Sequence, residues 1–525
     1  MSARQSKYLV LTAMIFAVAM MFVDQTIVAI AIPKIQNGLS LSATGSQWVI
    51  NGYLLALAAL FAFGGKLTDV LGHRRMVIVG VIGFAGASAL CGAAPTGKAG
   101  EWWLIVFRIV QGAFGAVLFP AALAIVVNAF EPGERGKALA IFFGITGGLT
   151  SVGPIAGSFL LQWTWRSIFW INVPIAVIAL VLTLRANPAD ERRRIPIDWR
   201  GAVLVSAGMA LAVLGLQQAG QWGWTSAKVW GCLAAGAVLL TVFVIVELRI
   251  PDPLIDLRIF THAGFVADNV VLFLICICFV PLFFFSSVYA QVVLGDNAGK
   301  AGLYILIFFL GFAGASQIGG RILDRRGARP AAIAGSALAT TGFVLWANQL
   351  PHASLASQWQ WIVLTGAGIG LALTPVSTDA INRAPRGSYG EVTGVTQTVR
   401  YFASSLGLAV LGSLLISENR SHVTSSLTSQ GVPRAVATRI AGEFSASAPP
   451  SAKGRPALPA GINGQHLFEA IQHDVALSLK TVLLVMAGVM GASFVVSVRR
   501  LEKGVPEQVA REAAPEDPAS ATVGG

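Results

Sequence analysis

Gly65-Lys-Leu-Thr-Asp69-Val-Leu-Gly72-His-Arg74 returns 255 residues later as Gly320-Arg-Ile-Leu-Asp324-Arg-Arg-Gly327-Ala-Arg329, with two glycines, an acid and an arginine kept in register. A repeat at that distance in a chain of 525 residues is the trace left by an internal duplication into two halves. Each copy lies between apolar runs of about 20 residues, the length that crosses a roughly 30 Å hydrocarbon layer at about 1.5 Å per residue. The repeat therefore reads as the short link between two membrane-spanning helices in each half. Counting the remaining apolar runs settles the fold.

Fourteen such runs are legible between residues 8 and 497. The expected fold is an all-α integral membrane protein: a six-helix bundle over 1–190, two inserted helices over 191–258, and a second six-helix bundle over 259–503. Helix 5 is expected over 137–161, helix 13 over 391–416 and helix 14 over 475–497. Between the last two lies an outer stretch, 417–474, rich in Ser, Ala, Gly and Pro, which reads as a linker or a lid. The polar tail 504–525 is expected to be a disordered cytoplasmic segment.

Composition agrees. The chain is 55% hydrophobic and 12% charged, with mean hydropathy +0.70, whereas a soluble domain carries about 25% charged residues. A net charge of +12 raises the question of a nucleic-acid partner, but Lys and Arg alternate between loops rather than sharing one face. They crowd the loops after even-numbered helices, as in Lys66, Arg74 and Arg75, then Arg192, Arg193 and Arg194, then Arg321, Arg325 and Arg326. By the positive-inside rule both termini are cytoplasmic, as expected for a multi-pass protein of the cell's inner membrane. Of 13 tryptophans, all but Trp199 fall near the opposite helix ends, where an indole N–H stays wet. The run from Tyr8 to Ala31 follows Arg4 and Lys7 like a signal peptide, but it is too long and holds Asp24, so it reads as the first span. The cysteines Cys91, Cys232, Cys276 and Cys278 sit in or beside apolar runs and read as small buried hydrophobes, and the histidines suggest no metal cluster.

Asp24 is the first candidate for chemistry, because it lies about 24 Å into helix 1. A charge at that depth costs several kcal/mol, so it faces a cavity or a partner and marks an ion or substrate path, or else makes a structural hydrogen bond near the outer interface. Arg108 in helix 4 and Arg400 near the middle of helix 13 keep their charge when buried. Either can bias the proton affinity of a nearby carboxylate or hold an anionic group; snorkelling for Arg108 and pairing with helix carbonyls for Arg400 are the plainer readings. In helix 5, Gly147, Gly148, Gly153, Pro154 and Gly157 allow a close helix neighbour and break one backbone bond, as static packing, a hinge or a proton seal. Gln217, Gln218, Tyr289 and Gln291 are candidate polar contacts to a substrate in a central cavity. Two patterns mislead. Gly92-Ala-Ala-Pro-Thr-Gly97-Lys98-Ala99 imitates a phosphate loop but has Ala99 where the magnesium-binding hydroxyl belongs and no preceding strand. Gly366-x-Gly368-x-Gly370 lies inside an apolar helix and reads as close helix packing.

These residues carry a resemblance. Gly65 to Arg75 and its repeat resemble motif A of the major facilitator superfamily, Arg108-Ile-Val-Gln111-Gly112 looks like its motif B, and Gly153-Pro154-Ile-Ala-Gly157 resembles its antiporter signature, motif C. Asp24-Gln-Thr-Ile-Val with Ala31-Ile-Pro33, Trp165-Arg-Ser-Ile-Phe-Trp-Ile-Asn172-Val-Pro174, and Trp222-Gly-Trp224 look like the fourteen-helix drug:proton antiporter subfamily. Gly148 stands one residue out of register with motif C, and helices 10, 13 and 14 lack the deep acids of some multidrug members. The resemblance implies a transporter rather than an enzyme, working as a monomer by alternating access, with the proton as coupling ion and no cofactor. It implies export of hydrophobic or amphiphilic molecules such as drugs or antibiotics; a dedicated lipid or metabolite exporter and a proton symporter for uptake are the alternatives. It assigns Asp24 to coupling or substrate recognition, Arg108 to proton coupling, and Gly65, Asp69, Gly72, Arg74, Gly320, Asp324, Gly327 and Arg329 to gating loops. Gly153, Pro154 and Gly157 would carry the antiport conformational change.

Overall fold

The computed structural model describes residues 3–130, 138, 141–142, 145–146, 148–149, 152–188, 196, 198–251, 253–383, 389–429, 432–438 and 464–505. Within them the chain runs through α1 (Ala3–Leu39), α2 (Ala43–Leu71), α3 (His73–Gly92), α4 (Lys98–Ala129), α5 (Val152–Leu160) and α6 (Asn172–Ala186). Then come α7 (Trp199–Trp222), α8 (Ala227–Glu247), α9 (Ala263–Val288), α10 (Ala298–Arg326), α11 (Ala328–Gln349), α12 (Leu355–Asn382), α13 (Tyr389–Ser429) and α14 (Gly464–Arg500). Among the described residues 13 helices are long and apolar enough to cross a membrane. The described part of α5 is too short to count by itself; it lies inside the fifth expected span, about half of whose first half is outside the described residues.

The offset of 255 extends far beyond the loop that revealed it. Adding it to α2 gives the bounds of α10, and adding it to the first residue of α3 gives the first residue of α11. Pro120 inside α4 and Pro375 inside α12 are related by the same offset. So is a close approach: a Cβ on Gly64 would strike the Ala116 carbonyl, and one on Gly319 would strike the Leu371 carbonyl. Lacking a hydrophobic drive between helices in lipid, these pairs associate by backbone proximity, which small residues permit. The Gly366, Gly368 and Gly370 run does the same on two sides, the outer pair against α10 and Gly368 against α11.

Both copies of the repeated loop turn on a glycine in the left-handed region, Gly72 at φ 100° and Gly327 at φ 79°. An L side chain is strained there, which explains why that position stayed glycine in both halves. These turns lie on the face where the chain starts, called here the near face. Trp102, Trp163, Trp222, Trp224, Trp230 and Trp359 are exposed at helix ends on the far face, and Trp199 is exposed at the near end of α7.

One expectation changes. The stretch 417–474 is not all linker: α13 continues to Ser429 and α14 begins at Gly464, while residues 430–431 and 439–463 lie outside the described residues. No glycine or proline interrupts the chain from Ser413 until Gly431 and Pro433, and Val423 and Leu427 supply a buried stripe, so the helix has no reason to stop at 416. Gln472 of α14 donates to the Val292 carbonyl at 3.0 Å, tying this extension to the end of α9. Of the expected tail 504–525, residues 506–525 are outside the described residues.

Candidate functional site

Asp24 is wholly buried on α1, and four neighbouring helices supply its surroundings. Arg108 Nη1 of α4 donates to Asp24 Oδ2 at 2.5 Å and to Gln111 Oε1 at 2.8 Å, while its Nε donates to the Val49 carbonyl of α2 at 2.8 Å. Gln111 Nε2 donates to Asp24 Oδ1 at 3.1 Å, and Asn172 Nδ2 of α6 approaches the same oxygen at 3.4 Å. Asn172 also donates to Ser88 Oγ of α3 at 2.9 Å, and Ser88 donates to the Phe169 carbonyl at 2.8 Å. The guanidinium lies 4.3 Å above the Tyr53 ring, a cation–π contact on its open face. A charge in hydrocarbon costs upward of about 3 kcal/mol, and here both charges are paired and hydrogen-bonded, the condition for keeping such a pair dry.

The motif C residues stand directly behind this pair. Gly153, Pro154 and Gly157 are buried on α5, and a Cβ on Gly153 would come 2.8 Å from the Val23 carbonyl, next to Asp24. On its other side α5 meets the second bundle, where a Cβ on Gly302 of α10 would come 2.8 Å from the Pro154 carbonyl. The α5 segment is thus wedged between the turn that carries Asp24 and the opposite bundle. Gly148 has open space around it, and Gly147 is outside the described residues.

Other contacts between the bundles gather toward the far face. Gln291 Nε2 of the π-helical turn Tyr289–Val293 donates to the Ile30 carbonyl at 3.1 Å and to Ser287 Oγ at 3.0 Å. Ser405 of α13 donates to Asn51 Oδ1 of α2, and Asn51 Nδ2 donates to Gln217 Oε1 of α7. Gln217 therefore joins the inserted helices to the seam, whereas the Gln218 side-chain oxygen is buried with no hydrogen-bond partner among the described residues. Tyr289 is not at the seam. Its hydroxyl donates to the Leu350 carbonyl at 2.8 Å and accepts from Gln358 at 2.6 Å, inside the second bundle. Nearer mid-depth, Tyr401 of α13 stacks on Phe61 of α2 with ring centroids 5.9 Å apart. Arg400 is part-buried beside it and donates to Gln397 Oε1 at 2.9 Å.

At the near face the repeated loops hold their acids differently. Asp69 stands 3.6 Å from His73 of its own hairpin, and Asp324 is exposed. Gly65 and Gly320 lie in the helices leading into the turns, Arg74 is half-buried, and Arg329 donates to the Val498 carbonyl at 2.6 Å.

Sequence reasoning missed a cluster there. Arg383 lies 2.7 Å from Asp379 Oδ2, 3.6 Å from Asp268 Oδ2 and in contact with Glu502. Burial alone pulls the Arg383 guanidinium pKa down, and Asp379, Asp268 and Glu502 together raise it above the usual arginine value. Three acids near the ends of apolar runs were visible in the sequence, but nothing in their spacing shows that α9, α12 and the end of α14 converge on one arginine. Gln111 and Asn172 were likewise legible only as parts of motifs, not as partners of Asp24.

Comparison with known proteins agrees with this architecture. The chain is 35% identical over 412 residues to the tetracenomycin C resistance and export protein of Streptomyces glaucescens, covering 78% of this chain and 76% of that one. It is 34% identical over 412 residues to the puromycin resistance protein pur8 of Streptomyces alboniger, covering 77% and 81%. Its fold resembles a bacterial homolog of the human lysosomal transporter Spinster in an inward-facing, unoccupied conformation, with TM-score 0.59 and 16% identity over 98% of this chain and 99% of that one. A family model matches residues 14–408, from before Asp24 through the seam residues of α13, and with it the chain belongs to the Major Facilitator Superfamily of membrane transporters.

Proposed function

We propose that this transporter exports hydrophobic or amphiphilic small molecules in exchange for protons, with its near face in the cytoplasm of a cell bounded by the inner membrane. The observation that carries the reading is the Asp24–Arg108 pair, buried in one bundle and backed by the Gly153–Pro154 segment that reaches the other bundle. Protonating Asp24 removes one charge of the pair and leaves Arg108 to be held by Gln111, the Val49 carbonyl and the Tyr53 ring. The position of α1 against α5 then responds to the proton, and α5 passes that change to α10. A two-state rocking of the bundles is biased by the difference in proton binding between the states. Outward direction is supported by the two resistance and export relatives, and cytoplasmic termini by the basic near-face loops. The gating loops fit the same scheme: Gly72 and Gly327 set tight turns on the near face, with Asp69 beside His73 and Asp324 exposed. The transporter is read as a monomer without a cofactor.

The test is efflux from everted vesicles under an imposed pH gradient with a panel of lipophilic antibiotics and dyes, wild type against Asp24→Asn. Export predicts substrate entry into wild-type vesicles, proton release from them on substrate addition, and neither in the variant. Substrate leaving the vesicles with the inward-pumped proton gradient would instead mean uptake symport, and a gradient-driven Asp24→Asn variant would remove the proton role from this pair.

A further inference from the structure

Arg400 has more donors than the described residues use. It lies on α13 beside Tyr401, which stacks on Phe61 and hydrogen-bonds with Gln25, the residue after Asp24. That contact sets Arg400 level with the Asp24–Arg108 pair but on the other side of the seam between the bundles. Arg108 has a carboxylate; Arg400 has none within ion-pair distance among the described residues. Its polar contacts are Gln397 Oε1 at 2.9 Å and the Cys276 thiol of α9.

Gln397 adds a second observation. Its oxygen is taken by Arg400, its Nε2 is buried without a hydrogen-bond partner among the described residues, and the side chain as a whole is 3% exposed. A part-buried guanidinium and an orphaned amide N–H₂, side by side at depth, form a donor-rich and acceptor-poor patch. The buried amide N–H₂ is left costly by the described residues, and both groups are satisfied by one ligand oxygen carrying negative charge.

We propose that Arg400 and Gln397 form a substrate subsite for an acidic oxygen, so that the preferred cargo is a lipophilic molecule bearing a carboxylate, enolate or phenolate. The apolar body would lie against the aromatic side chains of the seam, including Phe61 and Tyr401. This names the cargo class within the export reading, but its test needs neither a gradient nor a direction.

The purified protein in detergent is titrated with a fluorescent naphthyl-alkanoic acid and with its methyl ester, at a pH where the acid is ionised. Wild type should bind the acid about tenfold more tightly than the ester, the scale of one charge-assisted hydrogen bond. Arg400→Gln should abolish that preference by weakening acid binding far more than ester binding, Arg400→Lys should keep part of it, and Gln397→Leu should reduce it a few-fold. Equal binding of acid and ester by wild type, or a preference that survives in Arg400→Gln, overturns the assignment. Should Arg400→Gln fail to fold, the wild-type preference and Gln397→Leu decide by themselves. Failure of proton-driven export with an intact acid preference would point instead to the coupling scheme.

Discussion

The two bundles share a frame and differ in what they place at its centre. Adding 255 to Asp24, Tyr53, Arg108 and Gln111 gives Phe279, Phe308, Val363 and Gly366. In the first bundle the set is an ion pair with an amide and a cation–π contact. In the second it is aromatic packing, with Phe279 and Phe308 centroids 6.3 Å apart and Phe279 and Phe312 stacked at 5.4 Å. The bounds of α2 and α10 and the proline and glycine contacts beside both sets are matched, so the backbone tolerates either chemistry. Duplication supplied the scaffold twice, and a buried ion pair occupies this place in one copy only. That division suits the proposed exchange, with proton sensing at Asp24 in one half and aromatic packing at the matching place in the other.

The sharpest way to break the contrast is to give the first bundle the chemistry of the second. Arg108→Leu alone leaves a buried carboxylate without its charge partner and should cost about 3–5 kcal/mol, seen as a large fall in the thermal midpoint of the purified protein. Asp24→Leu with Arg108→Leu removes both charges and should recover most of that stability, since an apolar pair of similar volume is often neutral or better. Gradient-driven efflux should be absent from both. A double variant that still pumps would mean the pair is structural, and the difference between the bundles would then carry no functional weight.

The converse change is smaller in consequence for function. Phe279→Ala opens a cavity among Phe283, Phe308 and Phe312 and should lower stability by about 3–4 kcal/mol. Protons moved per substrate should stay as in wild type, measured by paired substrate and pH readouts in vesicles. A changed ratio would place part of the coupling in the second bundle.

How much of this was legible without a structure depends on the kind of signal. Helix number and the near-face turns were readable because spans have a minimum length and because Gly72 and Gly327 need a left-handed backbone. Asp24 and Arg108 could be singled out by depth alone, since hydrocarbon makes any charge conspicuous. Their pairing was not readable: it depends on how α1 and α4 are rotated, and the two residues are 84 apart. The convergence of Asp268, Asp379 and Glu502 on Arg383 escaped for the same reason, as did the helical parts of 417–474, where a Ser- and Ala-rich composition hid the stripe at Val423 and Leu427.

The inserted helices have no counterpart in the duplication, and they give the comparison its finest test. α7 is fastened to the first bundle by Gln221 Nε2 on Thr44 Oγ1 at 2.5 Å, by Ser206 Oγ on the Ala59 carbonyl at 3.1 Å, and by the Asn51–Gln217 bond. Ser405 of the second bundle reaches the same Asn51 from the other side. If α7 rides with the first bundle, the Ser405–Asn51 bond must break together with the Gln291–Ile30 bond when the far face opens, while the Asn51–Gln217 bond stays intact. Hydrogen bonds between membrane helices are worth about 0.6 kcal/mol on average, so Ser405→Ala should shift the balance toward the open far face by about threefold. Spin labels at the exposed positions Trp102 and Trp359, on opposite bundles at the far face, would report this as a larger share of long distances. Gln217→Ala should instead lower thermal stability with little change in those distances, because the bond it removes lies within the part that moves together. The reverse pattern would assign α7 and α8 to the second bundle and leave the charged half of the transporter to move alone.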